Sequence, residues 1–217
     1  MRIDTDSYGT ILGVAVVCLL FIILALRFIQ NPWISLPLSI ILLFFAIFVT
    51  WFFRVPERDR NISQGVVTSV ADGKVVILRK AYEPEYLKRD CIQVSVYMNF
   101  FDVHANFWPA TGKISYYKYH PGKYLLAFLP KASEKNEHSS VGMLTPKGEI
   151  FFKQIAGTFA RRIVCYAEDG ELESCGEQCG VIKFGSRIDL YLPLDADIQV
   201  KLGDEVRACE SVIAVLK

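Results

Sequence analysis

The chain has 217 residues, 52% of them apolar and 22% charged, with a formal net charge of +1 and a mean hydropathy of +0.29. This balance excludes a disordered, collagen-like or disulfide-scaffold protein. The 22 basic and 21 acidic residues from Arg54 onward give no reason to expect nucleic acid as a partner. The hydrophobicity is local: Tyr8 to Phe53 holds 35 apolar residues in 46, and the rest has an ordinary soluble composition and length for one domain with a real core.

From Ile11 to Phe53 the only charge is Arg27. Interruptions at Gln30-Asn31-Pro32 and at Pro37 predict two helices joined by a tight turn, Tyr8 to Ile29 with 22 residues and Leu36 to Phe53 with 18. Both lengths are near the roughly 20 residues that cross a bilayer, and Arg27 lies where it can snorkel to the interface. A cleaved signal peptide would carry a basic start and a small-residue cleavage site, whereas here Asp4 and Asp6 follow Arg2 and a second apolar run follows the first. Trp51-Phe52-Phe53 forms an aromatic belt followed by Arg54, Arg58 and Arg60. Positive charge stays inside, so a hairpin of residues 1–53 is expected in the cell (inner) membrane, spanning or dipping, with residues 54–217 on the cytoplasmic face. The six scattered cysteines suit a reducing compartment. Cys175 and Cys179 sit in a Gly-flanked turn without a second ligand pair, so no metal is expected.

After Pro56 the pattern turns to alternation and short apolar runs. Strands are predicted at Val66-Val67, Val75 to Leu78, Ile92 to Met98, Lys113 to Tyr117, Tyr124 to Phe128, Glu149 to Ile155, Arg162 to Tyr166, Gly180 to Phe184, Ile188 to Leu192, Ile198 to Lys201 and Val206 to Leu216. Turn dipeptides such as Asp72-Gly73, Lys147-Gly148 and Asp169-Gly170 punctuate them, and the polar stretch Ala132 to Ser140 reads as a loop. The fold class is therefore mainly β, a barrel or sandwich behind a helical hairpin. Gly180 to Lys217 is similar to the closing strands of lipoyl and biotinyl carrier barrels, but the candidate hairpin tip, Phe184-Gly185-Ser186-Arg187, carries Gly-Ser where carriers display a lysine.

Few residues here could do chemistry. The three histidines, His104, His120 and His138, fall within one stretch, and His104 is in a loop, where acid–base residues tend to be carried. Asp72-Gly73 is a hairpin-turn signature by itself. Gly185-Ser186 is most simply a turn, although a glycine before a serine permits the backbone geometry that attack by Ser186 Oγ on the Gly185 carbonyl needs.

Taken in order, these blocks resemble the pyruvoyl-dependent phosphatidylserine decarboxylases in their short, membrane-attached form. The matching stretches are Phe52 to Arg58, Ser69 to Val75, Asp102 to Asn106 followed by Pro109 and Gly112-Lys113, Ala132 to Glu137, Gln154 to Gly157 with Ala160 to Val164, and Phe184 to Arg187 with Asp189. The resemblance runs from Phe52 to Lys217.

It implies a proenzyme that cuts itself between Gly185 and Ser186 into chains 1–185 and 186–217, with Ser186 becoming a covalent pyruvoyl cofactor. Phosphatidylserine in the bilayer would be decarboxylated to phosphatidylethanolamine through a Schiff base to that group, the electron-sink logic of pyridoxal phosphate. The resemblance further implies an Asp72, His104 and Ser186 set for maturation, the buried acid orienting the imidazole. Long-form members carry a second histidine where Phe107 stands, and arginine is common at the positions of Phe107 and His138. Two alternatives stay open: a non-catalytic, membrane-tethered carrier-like or adaptor barrel, and a decarboxylase of another serine-headed lipid. A homo-oligomer is open as well.

Overall fold

Two helices form where the apolar runs predict them, α1 at Tyr8–Phe28 and α2 at Pro32–Phe52. The computed structural model describes residues 1–60, 63–123, 135–157, 162–183 and 186–217, and these fall into two units, Met1–Glu57 and Arg58–Lys217. The second helix starts at Pro32 rather than at Leu36. Asn31 caps it, its side chain accepting from the Trp33 N–H at 3.0 Å, and proline at the first helical position lacks only a donor that would be unpaired anyway. Pro37 is accommodated inside the helix.

Both helices are long and apolar enough to cross a bilayer. Two of their hydroxyls are folded back on the backbone, Ser39 Oγ to the Ser35 carbonyl at 2.8 Å and Thr50 Oγ1 to the Ala46 carbonyl at 3.0 Å, which leaves fewer bare polar groups along them. Strands β1 (Arg2–Ile3) and β2 (Arg54–Val55) pair antiparallel and tie the two ends of the hairpin together. The Arg54 guanidinium lies 3.5 Å from the centroid of the Trp51 ring, an aromatic and cationic pair of the kind that suits a membrane–water interface.

The second unit is built of strands: β3 Val66–Thr68, β4 Gly73–Glu83, β5 Arg89–Met98, β6 Ala105–Phe107, β7 Gly112–His120, β8 His138–Thr145, β9 Gly148–Ala156, β10 Ile163–Cys165, β11 Leu172–Glu173, β12 Gln178–Ile182, β13 Ser186–Leu192, β14 Asp197–Ile198, β15 Glu205–Val206 and β16 Val212–Val215. Among the described residues they make a curled eight-stranded half-barrel, ordered β11-β7-β8-β9-β13-β5-β4-β15, and two three-stranded sheets, β10-β12-β6 and β14-β16-β3. The mainly β reading therefore holds. The C-terminal strand β16 pairs with β3, the first strand of this unit.

Alternation sorts each central strand into two faces. Val94, Val96 and Met98 of β5, Phe152 of β9, and Ile188 and Leu190 of β13 join Trp108, Ile182 and Ile213 in the main core. On the other face, Cys91, Phe151 and Tyr191 pack with Leu87 from the β4–β5 connection.

Two expectations need correction here. The stretch read as a loop up to Ser140 contains the first residues of β8, which runs between β7 and β9. Asp72-Gly73 is not a hairpin tip, because β3 and β4 belong to different sheets. It is a corner at which a Cβ on Gly73 (φ 143°) would collide with the Tyr97 carbonyl. The strand expected at Tyr124 to Phe128 lies outside the described residues.

Candidate active site

The eight-stranded sheet and the β10-β12-β6 sheet are joined twice beside one another. Met98, the last residue of β5, pairs with Ser186, the first of β13. At the other end of the crossing, the His104 carbonyl accepts from the Ile182 N–H at 3.2 Å, and β6 and β12 are paired immediately beyond. The connection from Met98 to His104 and the connection from Ile182 to Ser186 thus link the same two paired positions in opposite directions. Gly185 lies outside the described residues.

Ser186 and His104 are both wholly buried. Ser186 is held between two strands, paired with Met98 on β5 and Ala156 on β9. Its Oγ donates to the Met98 thioether at 3.5 Å, a weak acceptor that leaves the hydroxyl uncommitted. The His104 Nδ1 lies 3.0 Å from the Asp102 carbonyl. A carbonyl only accepts, so the ring carries its proton on Nδ1 and presents Nε2 as the basic nitrogen.

Asp72 is placed differently from the expected acid–imidazole pair. Its carboxylate takes both Arg58 nitrogens, at 2.5 and 2.6 Å, and the Ala208 N–H at 2.9 Å. None of these bonds goes to His104. Burial raises the Asp102 carboxyl, and the negative charge of Asp72 adds to that rise. Asp72 therefore fixes Arg58 against the turn at Ala208, whose carbonyl accepts from the same guanidinium at 3.1 Å.

Sequence reading missed a second layer behind Ser186. The Asn106 Nδ2 points to the same Met98 sulfur at 3.8 Å, and its Oδ1 accepts from Gln154 Nε2 at 2.8 Å. Gln154 Oε1 in turn accepts from Ser139 Oγ at 2.6 Å. All three residues are wholly buried. The available signal was a polar residue at a core-facing position of an apolar strand, as Gln154 is within Ile150 to Ile155.

On the opposite face, Glu85, His120 and His138 bring one ligand atom each within 4.8 Å of one another. Lys153 already occupies the cation's place, with Nζ 2.7 Å from Glu85, and the two imidazoles stack at 12° and 4.4 Å between centroids, so their in-plane lone pairs do not converge. Burial alone would raise Glu85, but Lys153 and then His120 hold it down at about 2. The cluster is an ion network. The two cysteines considered as ligands are buried apart from it, the Cys175 thiol 3.5 Å from the Pro109 carbonyl.

Residues 45–214 match the family model for phosphatidylserine decarboxylase. The chain is 48% identical over 170 residues to a protein of Amoebophilus asiaticus, covering 78% of this chain and 76% of the relative. A protein of Syntrophus aciditrophicus is 41% identical over 191 residues, covering 87% of each. One of Porphyromonas gingivalis is 37% identical over 219 residues, covering 100% of this chain and 99% of the relative. All three bear the name phosphatidylserine decarboxylase proenzyme. With its curled sheet, its buried serine and the match spanning nearly all of the strand-built unit, the chain belongs to the phosphatidylserine decarboxylase family of enzymes.

Proposed function

We propose that this chain is a proenzyme that cuts itself between Gly185 and Ser186 and, once cut, decarboxylates phosphatidylserine in the membrane. The observation that carries the reading is the pair of neighbouring connections. The first ends at the buried His104, whose Nδ1 faces the Asp102 carbonyl, and the second ends at the buried Ser186, which supports giving the two residues a shared task. His104 takes the Ser186 hydroxyl proton, Oγ attacks the Gly185 carbonyl, and the amide becomes an ester. Elimination across Cα–Cβ of Ser186 then releases the Gly185 carboxylate, and loss of ammonia to water leaves a pyruvoyl end on residues 186–217.

The residues fit such a group. Ser186 is flanked by a strand on each side, which holds the new chain end in place after cleavage, and the thioether facing its side chain takes no part in acid–base chemistry. When formed, the group supplies an electron-withdrawing carbonyl that condenses with an amine and accepts the electron pair freed by loss of carbon dioxide. We assign the movement of a proton at the reacting carbon to His104, while Asp72 holds Arg58 in place.

Residues 1–53 act as a membrane hairpin and residues 54–217 as the catalytic domain. The Trp51 and Arg54 pair and the tied ends of the hairpin support attachment with both ends on the cytoplasmic face of the inner membrane. A lipid headgroup has to be met at that interface. Intact-mass measurement of the purified chain tests the reading. Two pieces of about 21 and about 3.6 kDa are expected, in proportion to the 24.6 kDa of the whole. Ser186→Ala should give only the uncut chain and no release of carbon dioxide from phosphatidylserine vesicles. A wild-type chain that stays uncut and inactive overturns the proposal.

A further inference from the structure

We infer that the turn from Asn99 to Asp102 is the part of the strand-built unit that enters the bilayer surface, with Phe100 and Phe101 set among the lipid chains just beneath the headgroups. The inference rests on the reading that the substrate is a membrane lipid, and it says which end of the catalytic unit meets that membrane.

Strand register defines the end. Ser186 of β13 stands opposite Met98 of β5, the neighbouring Tyr97 stands opposite Lys74 of β4, and Gly73 of β4 stands opposite Val206 of β15. Two strands start and two stop along this one row. The turn that leaves the row after Met98 leads straight to the candidate site, since the Asp102 carbonyl at its close faces His104 Nδ1 at 3.0 Å. Asp72, next to Gly73, holds Arg58 at the same row. Arg58 is the sixth residue after Phe52, the last of α2, so at most about 20 Å of extended chain lies between them. The catalytic unit is therefore leashed to its membrane hairpin through the end of the sheet at which Ser186 begins.

The turn itself is built to leave water. Phe101 is 67% exposed and Phe100 40%, and the two rings meet edge to face at 6.3 Å and 84°. Leu172 and Leu202 are similarly exposed but come singly, the ordinary state of a surface leucine. Beneath the phenylalanines the backbone is closed on itself. The Asn99 N–H donates to Asp102 Oδ2 at 2.8 Å, the Phe101 N–H to Asn99 Oδ1 at 2.8 Å, and the Asp102 N–H to the Asn99 carbonyl at 3.2 Å. Three of the four amide donors of the turn are thus satisfied within it, and both of its polar side chains are engaged in satisfying them. A backbone that keeps its hydrogen bonds inside loses its water at little cost, the condition for any segment that touches hydrocarbon. Two aromatic rings on such a stem then bury in lipid the surface that water penalises. A headgroup at the depth of this turn reaches the neighbourhood of Ser186 and His104 without its lipid leaving the bilayer.

The test uses the full chain in vesicles of phosphatidylcholine with a minor share of phosphatidylserine. A benzoylphenylalanine in place of Phe101 should, on illumination, attach phosphatidylcholine to the 1–185 piece, seen by intact mass and mapped to that position. Phe100→Ser combined with Phe101→Ser should leave release of the 32-residue piece unchanged, which shows that the unit still folds and matures. The same pair should lower carbon dioxide release from the vesicles by about tenfold or more, while a short-chain phosphatidylserine dissolved as monomers is turned over within about twofold of the wild-type rate. If the double variant is not cut, Phe101→Ser alone carries the comparison. Absence of a lipid adduct, adducts of phosphatidylserine alone, or adducts of a second copy of the chain overturn the inference, because the last two place residue 101 in a substrate pocket or a subunit contact. An equal loss on vesicles and on monomers overturns it as well. A wild-type chain that is never cut, or that leaves both forms of the lipid untouched, overturns the reading of its function instead.

Discussion

Alternate residues of β13 face two different chemistries. Ser186 and Ile188 point to the side where the hydrogen-bonding partners are a thioether, amides and hydroxyls. Arg187 and Asp189 point to the other side and form a wholly buried ion pair, Nε to Oδ1 at 2.8 Å. Gln93 extends the pair by donating to Asp189 at 3.2 Å and accepting from Arg79 at 2.9 Å. Farther along the same face, Glu85 collects Lys153, His120, Ser140 and Tyr116. The contrast separates holding from reacting. Fixed charges lock the strand from behind, while charge created in front by the proposed reaction would meet neutral dipoles, which need little rearrangement to receive it.

The sharpest way to break this comparison is on the front. His104→Ala should slow appearance of the 32-residue piece by about 100- to 10,000-fold, with little change in the denaturation midpoint of the uncut chain. A large loss of stability would make His104 part of the scaffold instead. From behind, the opposite signature is expected. Arg187→Met strands a buried carboxylate and should cost about 3–5 kcal/mol in denaturant unfolding, whereas Arg187→Met with Asp189→Leu should recover most of it. If the single variant is as stable as the wild type, the charges do not hold β13.

The smallest effect sharpens the comparison through pH. Burial lowers the proton affinity of His138, and the charges of Lys153 and His120 add to that. An unfolded chain protonates this imidazole near pH 6.5 while the folded one resists, so stability falls as pH drops below about 6.5. Glu85, held at about 2, contributes stability that is complete above about 4.3 and lost as pH falls toward 2. Urea unfolding at a series of pH values should show two acid limbs, one setting in below about pH 6.5 and the other between about 4.3 and 2. His138→Gln should flatten the upper limb and Glu85→Gln the lower. Unchanged limbs would remove both groups from the stabilising side.

Much of this was legible from the residues. The two apolar runs, the alternation of β5, β9 and β13, and the order of the motif blocks located the helices and Ile188 to Leu192 of β13, although Ser186 and Arg187, which read as a hairpin tip, are its first two residues. What escaped was written in polar residues. Ser139 and Ser140 look like loop because their hydrogen-bond partners, Gln154 and Glu85, come from other strands and connections. Arg58 stands 14 residues from Asp72 with no periodic relation to it, so nothing local announces that it claims the carboxylate. Pro37 suggested a helix start because proline usually marks one, yet the cap at Asn31 had already set it.

The residues from Ser186 onward are not an appendage. They supply β13 between β5 and β9, β15 at the far edge beside β4, and β14 and β16 in the sheet with β3. On the self-processing reading, a chain with this topology has to fold first and be cut afterwards, because an interior strand enters a sheet most readily while still tethered to its neighbours. The proposed cut would then turn folding into a one-way history. The uncut chain should regain its structure after denaturant is removed, whereas the two separated pieces face a concentration-dependent search for a slot between two strands and are exposed to aggregation on the way. The mature protein would owe its lifetime to the height of the unfolding barrier, with no equilibrium path back for whatever crosses it.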